Sequence, residues 1–130
     1  MCVPPLKRIL YVEDDPDIQA VAKIALCVMG GLEVQICSTG REALALAPIF
    51  SPDLILLDVM LPEMDGLETL KALRQVPDMQ ATPVVFMTAR LGAQEVAGYL
   101  EAGALDVIPK PFEAVSLAQR VEALWRRHHG

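Results

Sequence analysis

A chain of 130 residues with a formal net charge of −6 fits one domain, and can bury roughly 65–70% of its unfolded surface without staples. The acidic balance argues against a direct nucleic-acid surface, and the uncharged apolar-rich run of residues 24–32 is broken by glycines and too short to span a bilayer. Three cysteines, Cys2, Cys27 and Cys37, lack metal-ligand spacing and suit a reducing compartment. A cytoplasmic domain with an aliphatic core is expected, with no signal peptide, since the apolar run after Lys7-Arg8 is short and meets Glu13.

Residues 1–6, with Pro4-Pro5, are expected as a disordered lead-in. Ile9 to Val12 reads as a first strand, ending in Glu13-Asp14-Asp15-Pro16. Proline there suits the first turn of a helix, with Asp15 as its cap. Ile18, Val21, Ala22, Ala25 and Met29 then form an apolar stripe, stopped by Gly30-Gly31. Glu33 to Cys37 alternates polar and apolar, as an edge strand does. Ser38-Thr39-Gly40 opens a short helix through Ala47, closed by Pro48.

Leu54-Ile55-Leu56-Leu57-Asp58 is the strand around which the chain is organised. Four large apolar residues in a row predict burial on both faces, and Asp58 is delivered to the C-terminal edge. A loop over Pro62–Gly66 and a helix over Leu67–Gln75 follow. Pro83–Thr88 is a further strand, and Ala93, Val96, Ala97 and Leu100 give the stripe of the next helix, ended by Gly103. Leu105–Ile108 is a short fifth strand running into Pro109-Lys110-Pro111, and a last helix near Glu113–Arg127 turns Leu117, Val121 and Leu124 inward. Five strands alternating with five helices predict an α/β, flavodoxin-like, doubly wound parallel sheet with right-handed crossovers. The buried-looking strands one, three and four belong in its middle, giving the order 2-1-3-4-5.

That order brings Glu13, Asp14 and Asp58 together. Two like charges about 4 Å apart repel by ~4 kcal/mol at an effective dielectric near 20. Such a cluster raises carboxyl pKa values or recruits a cation. Oxygen ligands without nearby His or thiolate favour Mg²⁺, or Mn²⁺ as a similar divalent ion. A carboxylate beside a cation, an ammonium (Lys110) and a hydroxyl (Thr88) makes chemical sense as a phosphoryl acceptor. Asp58 is then the nucleophile, and Lys110 with the metal neutralises the transferred oxygens.

The chain resembles the response-regulator receiver domains of two-component phosphorelay signalling. The resemblance rests on residues 9–16 (Ile-Leu-Tyr-Val-Glu-Asp-Asp-Pro), residues 57–62 (Leu-Asp-Val-Met-Leu-Pro) with Asp65-Gly66, then Met87-Thr88-Ala89 and Lys110-Pro111-Phe112. It spans about residues 7–127, so that residues 1–130 form a single receiver domain. It implies a phosphoprotein switch in which Asp58 accepts phosphate from a sensor histidine kinase or a phosphotransfer protein. Asp14, Asp58 and the backbone carbonyl of Met60 ligate Mg²⁺, with Glu13 acting through water. Thr88 and Lys110 engage the phosphoryl group, and Lys110-Pro111 is cis. Beyond its own phosphoryl transfer and slow autodephosphorylation, no enzyme activity is implied. The resemblance also allows a dimer through the fourth helix, fifth strand and fifth helix. Two departures stand out: Glu13 replaces the more usual Asp, and Val107 stands where the family has a Tyr or Phe whose rotamer follows the threonine. Signal output is therefore expected through the loop from Thr88 into the fourth helix, Arg90-Leu91-Gly92.

Two other classes fit less well. A haloacid-dehalogenase-like phosphatase places a second Asp two residues after its nucleophile, where this chain has Met60. A flavin or nucleotide binder needs a Gly-rich loop after the first strand, where this chain has acids. Glu63 and Asp65 are expected as loop residues, the latter serving the turn into the third helix. Arg126, Arg127, His128 and His129 are expected to cap a helix C-terminus, and Tyr99 and Trp125 to be exposed interface aromatics. The chain ends after the fifth helix, so a downstream target or an output domain absent from this chain is expected to read the signal.

Overall fold

A computed structural model describes residues 3–129 of the chain. Strands β1 (Arg8–Val12), β2 (Glu33–Cys37), β3 (Leu54–Asp58), β4 (Val84–Thr88) and β5 (Asp106–Pro109) alternate with five helices. These are α1 (Pro16–Lys23), α2 (Gly40–Phe50), α3 (Gly66–Leu73), α4 (Ala93–Glu101) and α5 (Ala114–His129). All strand pairs are parallel, in the order β2-β1-β3-β4-β5, as expected.

Two apolar layers sandwich the sheet. Ile55 and Leu57 of β3 face α2, α3 and α4, among Ala43, Ala47, Phe50, Leu70, Leu73 and Tyr99. Leu54 and Leu56 face the other way, toward Ala22, Ala25, Leu26, Leu117, Val121 and Trp125 of the α1 and α5 side. Successive side chains of a strand alternate between faces, so a strand covered on both must be apolar throughout. At about 1.5–3 kcal/mol for each fully buried large aliphatic, β3, buried along its whole length, is heavily committed and holds Asp58 at a rigid end.

Local chemistry sets the helix starts. The Asp15 carboxylate accepts from the N–H groups of Asp17 (2.9 Å) and Ile18 (3.4 Å), with Pro16 in the first turn. Thr39 accepts from Glu42 N–H, and Asp65 forms a reciprocal capping box with Glu68. Gly66 opens α3 directly against the backbone of the Asp58 segment. A Cβ there would stand 2.4 Å from the Asp58 carbonyl oxygen and 2.7 Å from Val59 Cα. Neither atom can yield without moving the strand end. Gly66→Ala should therefore lower stability by about 1–3 kcal/mol in urea unfolding and disturb Asp58. A variant as stable as the parent would show that the close approach is not real.

The structure corrects several expectations. α1 runs on as π-helical turns, Ile24–Met29, and its buried face is Ala22, Ala25 and Leu26, whereas Val21 and Met29 are exposed. α2 passes through Pro48 to Phe50: the proline gives up its N–H bond and crowds the carbonyl one turn back, but burial of Phe50 beneath the Arg8 guanidinium, 4.5 Å from the ring centroid, favours the last turn. On α4, Val96 of the expected stripe is half-buried and Tyr99 is buried, whereas Ala93, Ala97 and Leu100 of that stripe lie exposed. Tyr99 and Trp125 are buried, not interface aromatics. Of the lead-in, residues 1–2 lie outside the described region; Leu6 is buried, and the Trp125 indole donates to the Pro4 carbonyl at 2.7 Å. Among the described residues no helix is long and apolar enough to cross a membrane.

Candidate functional site

The site forms where four strands end at one edge. Val12 pairs with Leu57, Asp58 with Met87 and Thr88 with Pro109. That register places Glu13, Asp58, Thr88 and Lys110 at successive strand ends, with the Lys110 N–H bonded to the Thr88 carbonyl at 2.9 Å. Glu13, Asp58 and Thr88 are buried, whereas Asp14 is exposed at the mouth.

Lys110 reaches between the two buried acids. Its ammonium donates to Glu13 Oε1 at 2.7 Å and to Asp58 Oδ2 at 3.0 Å. The other oxygens are also occupied: Asp58 Oδ1 accepts from the Met60 N–H at 3.1 Å, and Glu13 Oε2 from the Asp15 N–H at 3.2 Å. Burial alone would push the Lys110 ammonium down, but hydrogen bonds and charge from Glu13 and Asp58 overcome it and hold its pKa above the ordinary lysine value. The partly walled position of the Asp14 carboxyl and its neighbour Glu13 raise its pKa.

Glu13, Asp14 and Asp58 each offer a carboxylate oxygen, all within 4.8 Å of one another. Three hard oxygen donors with one lysine nearby suit a hydrated divalent cation of the Mg²⁺ type. Met60 contributes only backbone here: its N–H touches Asp58, and its side chain is exposed. Lys110-Pro111 is cis, as expected.

Thr88 shares the strand edge, yet its hydroxyl oxygen accepts from the Arg90 N–H at 3.0 Å and, among the described residues, bonds neither Asp58 nor Lys110. One participant escaped sequence reasoning. The Tyr11 hydroxyl, fully buried on β1, donates to Glu13 Oε1 at 3.5 Å. Burial first, then the charges of Glu13 and Asp58, push its pKa far up, so it stays a neutral donor. The signal was present: a lone aromatic in an aliphatic strand, two residues before Glu13 and hence on its face.

Among the described residues, Cys27 and Cys37 carry free thiols. Burial pushes the Cys37 thiol up to about 12, making it inert at neutral pH. Cys2 lies outside the described residues.

Comparison with known proteins agrees with this geometry. Residues 9–122 match the family model of the response regulator receiver domain. The transcriptional regulatory protein CpxR of Escherichia coli K12 is 42% identical over 124 residues, covering 95% of this chain and 51% of that protein. The response regulator MprA of Mycolicibacterium vanbaalenii is 41% identical over 120 residues, covering 92% and 51%. The chain thus spans about half the length of the curated relatives it matches. Among solved structures, the chemotaxis protein CheY4 of Vibrio cholerae superposes with a TM-score of 0.85 at 29% identity, covering 92% of this chain and 99% of that one. The signal receiver domain of a signal transduction histidine kinase from Syntrophus aciditrophicus gives 0.80 at 36%, covering 93% and 91%. With the order 2-1-3-4-5, the acidic edge and a family match over most of its length, this chain belongs to the response regulator receiver domain family.

Proposed function

We propose that Asp58 is the phosphoacceptor of this receiver, taking a phosphoryl group from the phosphohistidine of a sensor kinase or phosphotransfer protein. The observation that carries this is the pairing of Asp58 with Lys110 at 3.0 Å inside a three-carboxylate pocket. An Asp58 oxygen attacks phosphorus, the P–N bond to the donor histidine breaks, and the imidazole leaves with the electron pair. Asp14, Asp58 and the Met60 carbonyl, with Glu13 through water, would hold Mg²⁺ or Mn²⁺, which when bound supplies positive charge against the phosphoryl oxygens. Lys110 moves its donation from the Asp58 carboxylate to a phosphoryl oxygen, and the Thr88 hydroxyl donates to another. Glu13, held by Tyr11, Lys110 and the Asp15 N–H, keeps the ammonium positioned. Water later hydrolyses the acyl phosphate slowly, and the chain has no other enzymatic turnover.

The same reading extends to context. Residues 1–130 act as a single cytoplasmic receiver domain whose output is a downstream protein or an attached output domain, without direct contact to nucleic acid or membrane. The exposed apolar residues of α4 support self-association through α4, β5 and α5.

Incubation with a small acyl phosphate donor and Mg²⁺ should place one reducible acyl phosphate per chain on Asp58. Excess chelator should abolish labelling, as should Asp58→Asn. Label retained in Asp58→Asn, or undiminished by chelator, would overturn the proposal.

A further inference from the structure

We propose that Tyr99 of α4 carries the state of the phosphoacceptor site to the exposed face of α4, through a hydrogen-bonded chain that runs Thr88–Arg90–Tyr99. This rests on the reading of Asp58 given above. One residue of backbone joins the two ends of the chain. The Arg90 N–H donates to Thr88 Oγ1 at 3.0 Å, and the Arg90 carbonyl accepts from the Tyr99 hydroxyl at 3.2 Å. A shift of the Thr88 hydroxyl is therefore felt at the Arg90 peptide, and a shift of that peptide at the phenol.

The phenol is well placed to transmit it. Tyr99 is 4% exposed, and its ring lies 5.4 Å from that of Phe86, inclined at 55°. Phe86 stands on β4 two residues before Thr88 and pairs across the sheet with Val107. Val107, half-buried, packs against the same cluster. The aromatic ring over this β4–β5 step thus comes from α4, and β5 supplies only a short, stiff side chain.

α4 itself is lightly held. Its first turn lacks a side-chain cap, and Leu91, Ala93, Ala97 and Leu100 are exposed. Among the described residues, the Tyr99 hydroxyl makes the only side-chain hydrogen bond between α4 and the rest of the chain. An element fixed by so few contacts opens at low cost. A hydroxyl has one proton to donate and lone pairs to accept with. When the Thr88 side chain moves its oxygen toward a phosphoryl group to donate to it, the bond that this oxygen accepts from the Arg90 N–H must lengthen or pull the loop with it. The buried phenol then either follows the Arg90 carbonyl or loses its acceptor, and both outcomes shift α4 together with its apolar outer residues. This gives the local event a two-state element to bias.

The test uses the ¹⁵N-labelled chain with Mg²⁺ and beryllofluoride as phosphoryl mimic, with two separate readouts. Fluorine signals of the bound mimic report loading of Asp58, and amide shifts over Ala93–Glu101 report α4. Tyr99→Phe keeps the ring and removes the hydroxyl. It should load as the parent does, while its α4 shifts fall at least twofold; Val107→Ala should leave them within error. Full α4 shifts in a loaded Tyr99→Phe would overturn the proposal. So would a parent chain in which loading leaves the Arg90 amide and the Tyr99 ring carbon Cζ unmoved, a measurement that needs no variant. A parent that never loads fails at the first readout instead: it removes the Asp58 reading and this inference with it.

Discussion

Lys110→Met should destabilise the metal-free protein at pH 7 by about 3 kcal/mol, the lower end of the cost of breaking a buried ion pair. The lysine side chain is 17% exposed, whereas those of Glu13 and Asp58 are 1% and 4% exposed. Removing it leaves two buried carboxylates facing each other with no counter-charge, and methionine restores volume but not charge. One pH effect separates this from a packing defect. The folded-state pKa of Lys110 is raised, against the lowering effect of burial, by its two acceptors. Its stabilisation is complete below the unfolded lysine value, about 10.4, and is lost as pH rises through the higher folded value. The parent should therefore lose stability above about pH 10.4 in a limb that Lys110→Met lacks. Urea unfolding in chelator across pH 7–11 measures it. Phosphorylation from a small donor should fall by about 10²-fold, in the range seen on removing one donor to developing charge. Equal stability of the two proteins at pH 7 would mean that Lys110 does not neutralise the pocket.

Strand pattern and site were legible for the same reason. Leu54–Leu57 can be apolar throughout only if both faces are covered, which calls for a parallel sheet with flanking helices. The alternation in Glu33–Cys37 puts β2 at an edge, and its half-buried Val34, Gln35 and Ile36 agree. Once β1 and β3 are neighbours, Glu13, Asp14 and Asp58 must meet. What stayed hidden depends on contacts far apart in the chain. Trp125 is buried where its indole N–H meets the carbonyl of Pro4, 121 residues away. The α4 stripe misleads in part: its Val96 does turn inward, but together with Tyr99, which leaves Ala93, Ala97 and Leu100 on the exposed side. Lys110 was expected to meet the phosphoryl group; that in its absence the ammonium bridges Glu13 and Asp58 follows only from side-chain geometry.

Asp14→Asn should make the metal-free protein more stable at neutral pH and less responsive to Mg²⁺. Asp14 is the exposed member of the acidic trio, and Lys110 bonds the other two. Its pKa is raised, chiefly by loss of hydration and then by Glu13, so folding opposes its charge. For a carboxyl with a raised folded pKa, the penalty exists once pH is above that pKa and vanishes below the unfolded value near 3.9. Asparagine removes the penalty, so the gain should be present at pH 7 and disappear by about pH 3.5. The metal arm runs in the opposite direction. A cation held only by the folded chain stabilises by RT ln(1 + [L]/Kd), about 2.7 kcal/mol at a hundredfold excess over Kd. The parent should show that increment at saturating Mg²⁺. The variant, with one carboxylate fewer, should show a clearly smaller one at the same concentration, while retaining the Lys110 pairing and the fold. Urea midpoints with and without Mg²⁺ for both proteins decide it. Equal metal-induced increments would remove Asp14 from the ligand set, and a less stable metal-free variant would show that its carboxylate is a structural partner instead.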